Sequence, residues 1–332
     1  MLSKYNKFSK YLRDKFGLRV QRVSVDAGFT CPNRDGTKST GGCIYCDNRA
    51  FIHQSKGEEI SPIEVQIEQG MAIARRRFEA KKFFLYFQAY SNTYAPLKVL
   101  RRTYTAVRIF DDIVGIAIAT RPDCVDENVL DLICEYKNDY DVWIEYGLQS
   151  VHDLTLQYIN RGHTYDDFLR AYEMTKNKGI KVCVHTIIGL PGETRRMMLE
   201  TAKKMADLKI DGIKIHPMHI VKNTMLEDIY KQGQYMPLDI EVYVDILAEF
   251  LSELWPGTVV QRLGASCSRD ILVAPSWVGD QEGLESMLEN VMSEKNIIQG
   301  SKYIENITMN NTESEHIETE PPKSGEPELT LF

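Results

Sequence analysis

The sequence predicts an α/β protein: a partial (β/α)6 TIM-like barrel that continues into a C-terminal α/β extension and a disordered acidic tail. Short runs rich in Val, Ile, Phe and Tyr alternate with amphipathic helical patterns, which is typical of βα units around a parallel sheet. Strand centres recur about every 30 to 40 residues, and at that spacing six units are too few for a complete eight-unit barrel. These units suit a partial barrel or a doubly wound sheet.

The six runs that predict strands are bounded by turn or helix signals and span residues 19–25, 82–87, 113–119, 141–148, 181–188 and 212–216. The helical patterns between them cover residues 61–78, 98–110, 126–136, 165–178 and 194–208. The first helix has Ser61 as its expected cap, Pro62 in its first turn and Glu64 three residues after the cap. The extension adds helices at 238–254 and 281–292 and a possible strand at 258–262.

Composition divides the chain into a basic N-terminal arm (1–16), the barrel (17–220), the extension (221–300) and the tail (301–332). The tail is rich in Glu, Asn, Thr, Ser and Pro, a composition typical of disorder. No run reaches the roughly 20 apolar residues of a membrane span, and the N-terminus lacks the apolar stretch of a secretory signal. The sequence therefore predicts a cytoplasmic protein with no membrane partner.

The formal net charge of −7 comes mostly from the tail, because seven Glu and one Lys in residues 304–332 account for −6. Positive charge gathers in three clusters: seven basic residues against one acid in 1–22, residues 75–77 with Lys81 and Lys82, and Lys98, Arg101, Arg102 and Arg108. Such clusters are typical of phosphate-binding surfaces and equally of solvated helix faces. A surface for RNA requires them on one face around the barrel mouth.

Three of the seven cysteines, Cys31, Cys43 and Cys46, fall within sixteen residues directly after the first predicted strand. An odd cysteine number in a cytosolic chain argues against a disulfide framework and favours metal binding. Three unrelated core cysteines are one interpretation, and a Cys₃His zinc site completed by His53 is another. The third is a [4Fe–4S] cluster held by three thiolates, which leaves one iron open for S-adenosylmethionine (SAM).

Polar residues also follow most of the other predicted strands, at the edge where barrels of βα units gather their catalytic groups. They occur in 88–96 after the second strand, at Glu145 and Gln149 on the fourth, in 189–194 after the fifth, and at His216 and His219 after the sixth. Polar groups at five strand ends are more than a small zinc site requires. Cys267 lies in a polar loop of the extension and is a weaker candidate for an active role.

Over about residues 17–220 these motifs resemble the radical SAM superfamily. The eleven-residue gap between Cys31 and Cys43, with its Cys-Pro-Asn-Arg-Asp-Gly-Thr and Thr-Gly-Gly-Cys flanks, is similar to the YhcC/YtqA group. That group is similar to the catalytic subunit of elongator, which acts on tRNA wobble uridines. The Gly-Leu-Gln-Ser and Gly-Leu-Pro-Gly-Glu-Thr stretches at 147–150 and 189–194 also fit.

The resemblance implies a [4Fe–4S] cluster on Cys31, Cys43 and Cys46, with SAM bound beside it. It implies that SAM is contacted by Gln88, Ser91 and Asn92 at its amino group, Glu145 at the ribose, Arg161 at the carboxylate, and Ile188 and Gly189 beside the adenine. Each has a plain structural alternative, such as a paired strand-end acid, a helix-surface residue or a turn. His185, His216 and His219 are candidates for substrate contact or satisfied core histidines.

By the same resemblance, the enzyme cleaves SAM to a 5′-deoxyadenosyl radical that modifies the side chain of a 5-substituted tRNA wobble uridine. An electron donor such as flavodoxin or ferredoxin is implied as a partner. Two alternatives remain open from the sequence. One is a radical SAM enzyme acting on a small molecule or a protein, and the other is a non-catalytic zinc-bearing RNA-binding protein.

Overall fold

The computed structural model describes residues 3–47 and 60–304. Seven of its strands form one parallel sheet in the order β1-β2-β3-β4-β5-β6-β8, and β7 pairs antiparallel with β9 in a small second sheet. The strands are β1 Val20–Val25, β2 Lys82–Phe87, β3 Ile113–Thr120, β4 Asp141–Gln149, β5 Lys181–Ile188, β6 Gly212–Pro217, β7 Ile220–Val221, β8 Val259–Arg262 and β9 Leu272–Ala274. His53 and the predicted tail beyond residue 304 lie outside the described residues.

Ten helices are found in these residues: α1 Phe8–Phe16, α2 Ile63–Phe78, α3 Leu97–Thr105, α4 Glu127–Cys134, α5 Asp153–Tyr158, α6 Tyr165–Asn177, α7 Arg195–Asp207, α8 Met225–Lys231, α9 Ile240–Glu253 and α10 Gln281–Glu294. The α/β class and the curled parallel sheet are as predicted, and each of the six predicted barrel strands is present. The division into four segments stays a prediction.

Four details differ from the sequence prediction. The strand at 258–262 joins the main sheet as its seventh strand, β8, beside β6. The predicted helix at 98–110 ends as a 3₁₀ turn, Ala106–Ile109. The Ser61 cap was wrong, because Pro62 occupies the cap position without a side-chain hydrogen bond. The sequence analysis also did not identify the short helices α1, α5 and α8.

Residues along the central strands alternate between an outer face under the helices and the barrel interior. Ile144 and Tyr146 of β4 belong to the helix-covered core, whereas Trp143 belongs to a separate inner cluster with Phe84 and Cys183. This inner cluster fills the barrel toward the N-terminal ends of the strands. Because period-two alternation continues along each strand, the next inward positions toward the C-terminal ends carry Glu145, His185 and Lys214.

Helix α1 closes the N-terminal end of the barrel. The Tyr11 ring packs edge-on against Trp143, with ring centroids 5.6 Å apart, and its hydroxyl donates to Asp141 Oδ2 at 2.7 Å. Lys181 Nζ donates to the Tyr11 hydroxyl at 2.8 Å. Asp141 and Lys181 are the first residues of β4 and β5, so the predicted basic arm contributes a helix at the end away from the strand C-termini.

A seam joins the two edges of the partial barrel. Arg22 Nη2 on β1 donates to Gln261 Oε1 on β8 at 3.1 Å. The backbone N–H of Val260 donates to Asn6 O at 2.8 Å, and the N–H of Asn6 donates to Gln299 Oε1 at 2.9 Å. The open side of the seven-stranded sheet is therefore covered by residues from both ends of the described chain.

Across residues 3–47 and 60–304, no helix combines the length and the apolar character that a membrane span requires.

Candidate active site

A cavity of about 240 Å³ opens at the C-terminal ends of the barrel strands. Its wall combines the cysteine loop, the segment after β2 and the inward residues of β4, β5, β6 and β8. The lining residues include Cys31, Arg34, Cys43, Cys46, Tyr86, Gln88, Ser91, Arg121, Glu145, Gly147, Arg161, His185, Ile187, Lys214, His216, His219 and Arg262. The cavity lies at the edge of the sheet where sequence analysis expected the catalytic groups.

The structure brings the three clustered cysteines to one side of this cavity. A tight turn joins two of them, in which the Cys46 N–H donates to Cys43 O at 2.9 Å. The turn follows Gly41 and Gly42, whose φ angles of +83° and +85° favour glycine. Cys43 is buried, whereas Cys31 and Cys46 are partly exposed toward the cavity.

The spacing of the three thiols can be compared with that of a single zinc site. Thiolates on one zinc ion lie at most about 4.6 Å apart, which is twice the Zn–S bond length of about 2.3 Å. Among the described residues, one set of three candidate ligands has all its ligand atoms within 4.8 Å, and it comprises Glu145, Cys183 and His185. Among Cys31, Cys43 and Cys46, at least one pair of sulfurs therefore lies farther apart than 4.8 Å, which is wider than one zinc ion allows.

Two guanidinium groups face the cysteine sulfurs. Arg161 Nη1 lies 3.6 Å from Cys43 Sγ, and Arg121 Nη1 lies 4.0 Å from Cys31 Sγ. Arg161 is buried and donates from Nε to Gly147 O at 3.2 Å. The pKa of Cys46 is raised to about 12, mainly by burial and to a smaller extent by the Cys43 thiol. The nearby arginines oppose this rise. Positive charge here favours the thiolate forms that metal ligation requires.

Glu145 anchors a second group of charges inside the barrel. Its Oε2 accepts a hydrogen bond from His185 Nε2 at 2.8 Å and a short one from the Lys214 ammonium. Burial alone raises a carboxyl pKa, but Lys214 and then His185 hold the pKa of Glu145 below its usual value. Its other oxygen, Oε1, is buried without a hydrogen-bond partner among the described residues. An unpartnered carboxylate oxygen beside a cavity is suited to accept a ligand hydroxyl.

Lys214 and His185 keep different protonation states around this carboxylate. Burial lowers the pKa of Lys214 to about 8, so the ammonium stays mostly charged at neutral pH. Burial lowers the pKa of His185 to about 4, so the imidazole is neutral and donates from Nε2. The Lys214 Nζ also lies 3.9 Å from the centre of the Tyr86 ring. Because this ammonium already balances Glu145, the Glu145–Cys183–His185 set does not need a metal ion.

The residues that the resemblance assigned to SAM divide into two sets. Gln88, Ser91, Glu145 and Arg161 line the cavity. Asn92, Ile188 and Gly189 do not belong to its described wall. The Asn92 amide is buried and donates to Ala89 O at 2.7 Å and Ala119 O at 3.0 Å, so it fixes the segment after β2.

Ile188 of β5, which the resemblance placed beside the adenine, lies outside the cavity because alternate residues of a strand point to opposite faces. Ile188 packs in the helix-covered core, whereas its neighbour Ile187 lines the cavity. The carbonyl of Gly189 accepts a hydrogen bond from the Tyr235 hydroxyl at 2.7 Å. Cys267 is also outside the described cavity wall; it is partly exposed, and burial raises the pKa of its thiol.

The sequence analysis did not single out Tyr86, Lys214 or Arg262, which also line the cavity. A signal for Lys214 was present in the strand Gly-Ile-Lys-Ile-His at 212–216. Lys214 and His216 share one face of an otherwise apolar strand, and a lysine there needs a buried anionic partner. No such signal marked Arg262, because its position depends on β8 joining the sheet beside β6.

A family model described as "Radical SAM superfamily" matches residues 33–205. The chain belongs to the radical SAM superfamily. A second model of the same superfamily, described as its C-terminal domain, matches residues 210–294. Membership of the radical SAM superfamily implies a [4Fe–4S] cluster and SAM. Three thiols on the wall of one cavity and the unpartnered Glu145 oxygen are chemically suited to these groups.

The relatives extend the resemblance beyond the superfamily. The chain is 38% identical to protein YhcC of Escherichia coli (strain K12), over 82% of this chain and 87% of that protein. It is 30% identical to a tRNA uridine(34) acetyltransferase of Methanocaldococcus jannaschii, over 41% of this chain but 25% of that protein. The first match confirms the resemblance to the YhcC group that the motifs indicated.

The structure of an archaeal Methanocaldococcus infernus Elp3 with an N-terminal deletion aligns with a TM-score of 0.63 at 19% identity. The alignment covers 84% of this chain and 64% of that one. At this identity the likeness shows the shared fold, and it confirms the partial barrel predicted from the sequence.

Proposed function

We propose that this chain binds a [4Fe–4S] cluster through Cys31, Cys43 and Cys46 and uses it to cleave SAM reductively. The observation that carries the proposal is the set of three cysteines on the wall of one cavity, spaced too widely for a single zinc ion. When bound, the cluster and SAM supply a 5′-deoxyadenosyl radical that abstracts hydrogen from the substrate.

The residues around the cavity have distinct proposed roles in binding SAM. The Arg161 guanidinium binds the carboxylate of SAM, because it is a buried cation held beside Cys43. Glu145 accepts a ribose hydroxyl at Oε1, while its Oε2 stays bound to Lys214 and His185. Gln88 and Ser91 meet the amino group from the segment after β2.

Three of the residues predicted to contact SAM, Asn92, Ile188 and Gly189, are outside the cavity wall and have indirect roles in this proposal. Asn92 orients the segment 88–91 through its bonds to Ala89 and Ala119. Ile187 takes the place beside the adenine that the resemblance gave to Ile188. Gly189 shapes the end of β5, where its φ of +89° favours glycine.

The proposed substrate is a tRNA with a 5-substituted wobble uridine, whose side chain is modified in the cavity. Support comes from the relative named as a tRNA uridine(34) acetyltransferase, whose match spans 41% of this chain. The predicted basic clusters do not add support. Lys15 binds Asp141 at the start of β4, Arg75 binds Asp112 just before β3, and Arg101 binds Glu135 after α4.

That placement favours a second candidate, a radical SAM enzyme acting on a small molecule or a protein. The ion pairs of all three clusters lie toward the N-terminal ends of the strands, away from the cavity mouth. Comparison of wobble nucleosides in tRNA from cells with and without the gene separates the candidates. An identical nucleoside profile in both strains would remove the tRNA proposal and leave the second candidate.

Anaerobic reconstitution followed by an assay for 5′-deoxyadenosine tests the cleavage itself. Cys43→Ala is expected to abolish the product, whereas Cys134→Ala, a cysteine outside the cavity wall, is expected to retain it. Iron, labile sulfide and zinc are measured on the same samples. One zinc and no labile sulfide in the wild-type protein would identify the zinc-bearing alternative instead.

A further inference from the structure

The cavity wall formed by β6 and β8 carries excess positive charge. Arg262 of β8 pairs in register with Lys214 of β6, and both side chains line the cavity. Asp47 and Glu145 are the two acids among the described lining residues. Glu145 is already bound by Lys214 and His185, so its charge is shared and it attracts Arg262 only through space, without an ion pair.

The Arg262 guanidinium has few partners of its own. Its hydrogen-bond contact is with Ser266 Oγ at 3.5 Å, and within 3–47 and 60–304 no carboxylate reaches ion-pair distance of it. Burial and the charge of Arg22 lower the pKa of Arg262, which indicates that its positive charge is held at a cost. A guanidinium with free N–H groups on a cavity wall is a strong site for a planar oxyanion, which it binds with two parallel hydrogen bonds.

A neutral acceptor lies on the same wall. His216 lines the cavity, and its Nδ1 lies 3.2 Å from Gly264 O, a carbonyl that only accepts. Burial holds the pKa of His216 well below its usual value, so its Nε2 carries a lone pair. Arg262 and His216 thus offer a cation and an acceptor on the wall formed by β6 and β8.

We propose that Arg262 binds an oxyanion of the substrate nucleotide, either a carboxylate on the substituent of the uracil ring or the phosphate beside the nucleotide. The inference rests on the proposed function and adds the chemical class that the cavity recognises. SAM has its own cation in Arg161, which donates to Gly147 O and lies 3.6 Å from Cys43 Sγ. Arg262 is therefore left for the substrate.

Binding of anticodon stem-loop RNAs tests this assignment without requiring turnover. Three loops are compared that carry uridine, 5-carboxymethyluridine or 5-carbamoylmethyluridine at the wobble position, because the last two differ chiefly in charge. Their dissociation constants are measured by fluorescence anisotropy on the anaerobically reconstituted protein with SAM. The variants are Arg262→Gln, Arg262→Lys and the control Arg76→Gln, an exposed arginine of α2.

Loss of the charged hydrogen bonds in Arg262→Gln is expected to weaken binding about tenfold or more. Arg262→Lys is expected to recover part of the loss, and Arg76→Gln to match the wild type. Weakening confined to the 5-carboxymethyl loop identifies the carboxylate, and equal weakening of all three loops identifies the phosphate. If Arg262→Gln binds every loop as tightly as the wild type does, the role of Arg262 is overturned, whereas the proposed tRNA substrate is not. A wild-type protein that binds none of the loops overturns the proposed tRNA substrate and this inference with it.

Discussion

Replacing Lys214 with Met is expected to destabilise the protein by an amount that grows with pH. The ammonium is 2% exposed and binds Glu145, which is itself fully buried. Met keeps most of the length of the side chain but removes the charge. Removing one partner of a buried ion pair leaves an uncompensated charge, which typically costs about 3–5 kcal/mol. The folded variant avoids part of that cost by taking up a proton.

The size of the effect depends on which group takes up the proton. If Glu145 does, holding it protonated at pH 7 costs about 3.7 kcal/mol, because pH 7 lies about 2.7 units above its usual pKa and each unit is worth about 1.36 kcal/mol. At pH 5 the same cost falls to about 1 kcal/mol. If His185 takes the proton, the cost at pH 7 is about 0.7 kcal/mol, from its usual pKa of about 6.5.

The sign is the same for either group. Without Lys214, the shared proton of Glu145 and His185 is bound more tightly in the folded state than in the unfolded state. The variant therefore loses stability as pH rises from 5 to 7. In the wild type the pKa of Glu145 is below its usual value, so its stabilising contribution is present above about pH 4.3 and is lost only as pH falls further.

Urea unfolding followed by tryptophan fluorescence at pH 5 and pH 7 measures the effect, since Trp143 lies inside the barrel. The double variant Lys214→Met/Glu145→Gln is the matched control, because it keeps the shape and removes the carboxylate. Its loss of stability is expected to be independent of pH. A single variant whose loss is equal at both pH values, or greater at pH 5, would refute the reasoning.

Three further predictions concern single residues. Gly147→Ala places a Cβ 2.6 Å from Arg161 Nη2, so the Arg161 side chain must move. We expect less 5′-deoxyadenosine with an unchanged iron content, and full activity would contradict this. Tyr11→Phe removes the hydroxyl between Asp141 and Lys181 and should lower the unfolding free energy by about 1.5–3 kcal/mol, with SAM cleavage unchanged. Thr164→Ala removes the capping box of α6 and should cost about 1 kcal/mol in the same urea assay, whereas an unchanged midpoint would show that the cap is redundant.

The barrel strands were predictable because their composition and boundaries are local properties of the chain. The run 182–188, for example, is apolar except at His185 and Thr186, as expected for a strand covered by helices. The cysteine loop was predictable for the same reason, since the motif and its glycines are contiguous. The spacing of the three cysteine sulfurs could not be predicted, because it depends on how the loop folds.

What the sequence did not indicate depends on contacts between distant segments. Arg262 reaches the cavity because a strand of four residues joins β6 after a long excursion through α8 and α9. The basic residues of α1 looked like a solvent-exposed arm, yet Lys15 and Tyr11 bind the starts of strands more than a hundred residues away. Charge patterns in the sequence therefore located cations but not the face on which they lie.

The seam between β1 and β8 has a consequence for how the chain is made. Arg22 and Gln261 are 239 residues apart, and Asn6 and Gln299 are 293 apart. During synthesis the edge of β6 stays unpaired until residues 259–262 emerge, and unpaired edges recruit strands from other molecules. Closing so long a loop is slow. We therefore expect a polypeptide ended before residue 259 to aggregate, although it would retain every cysteine of the cluster.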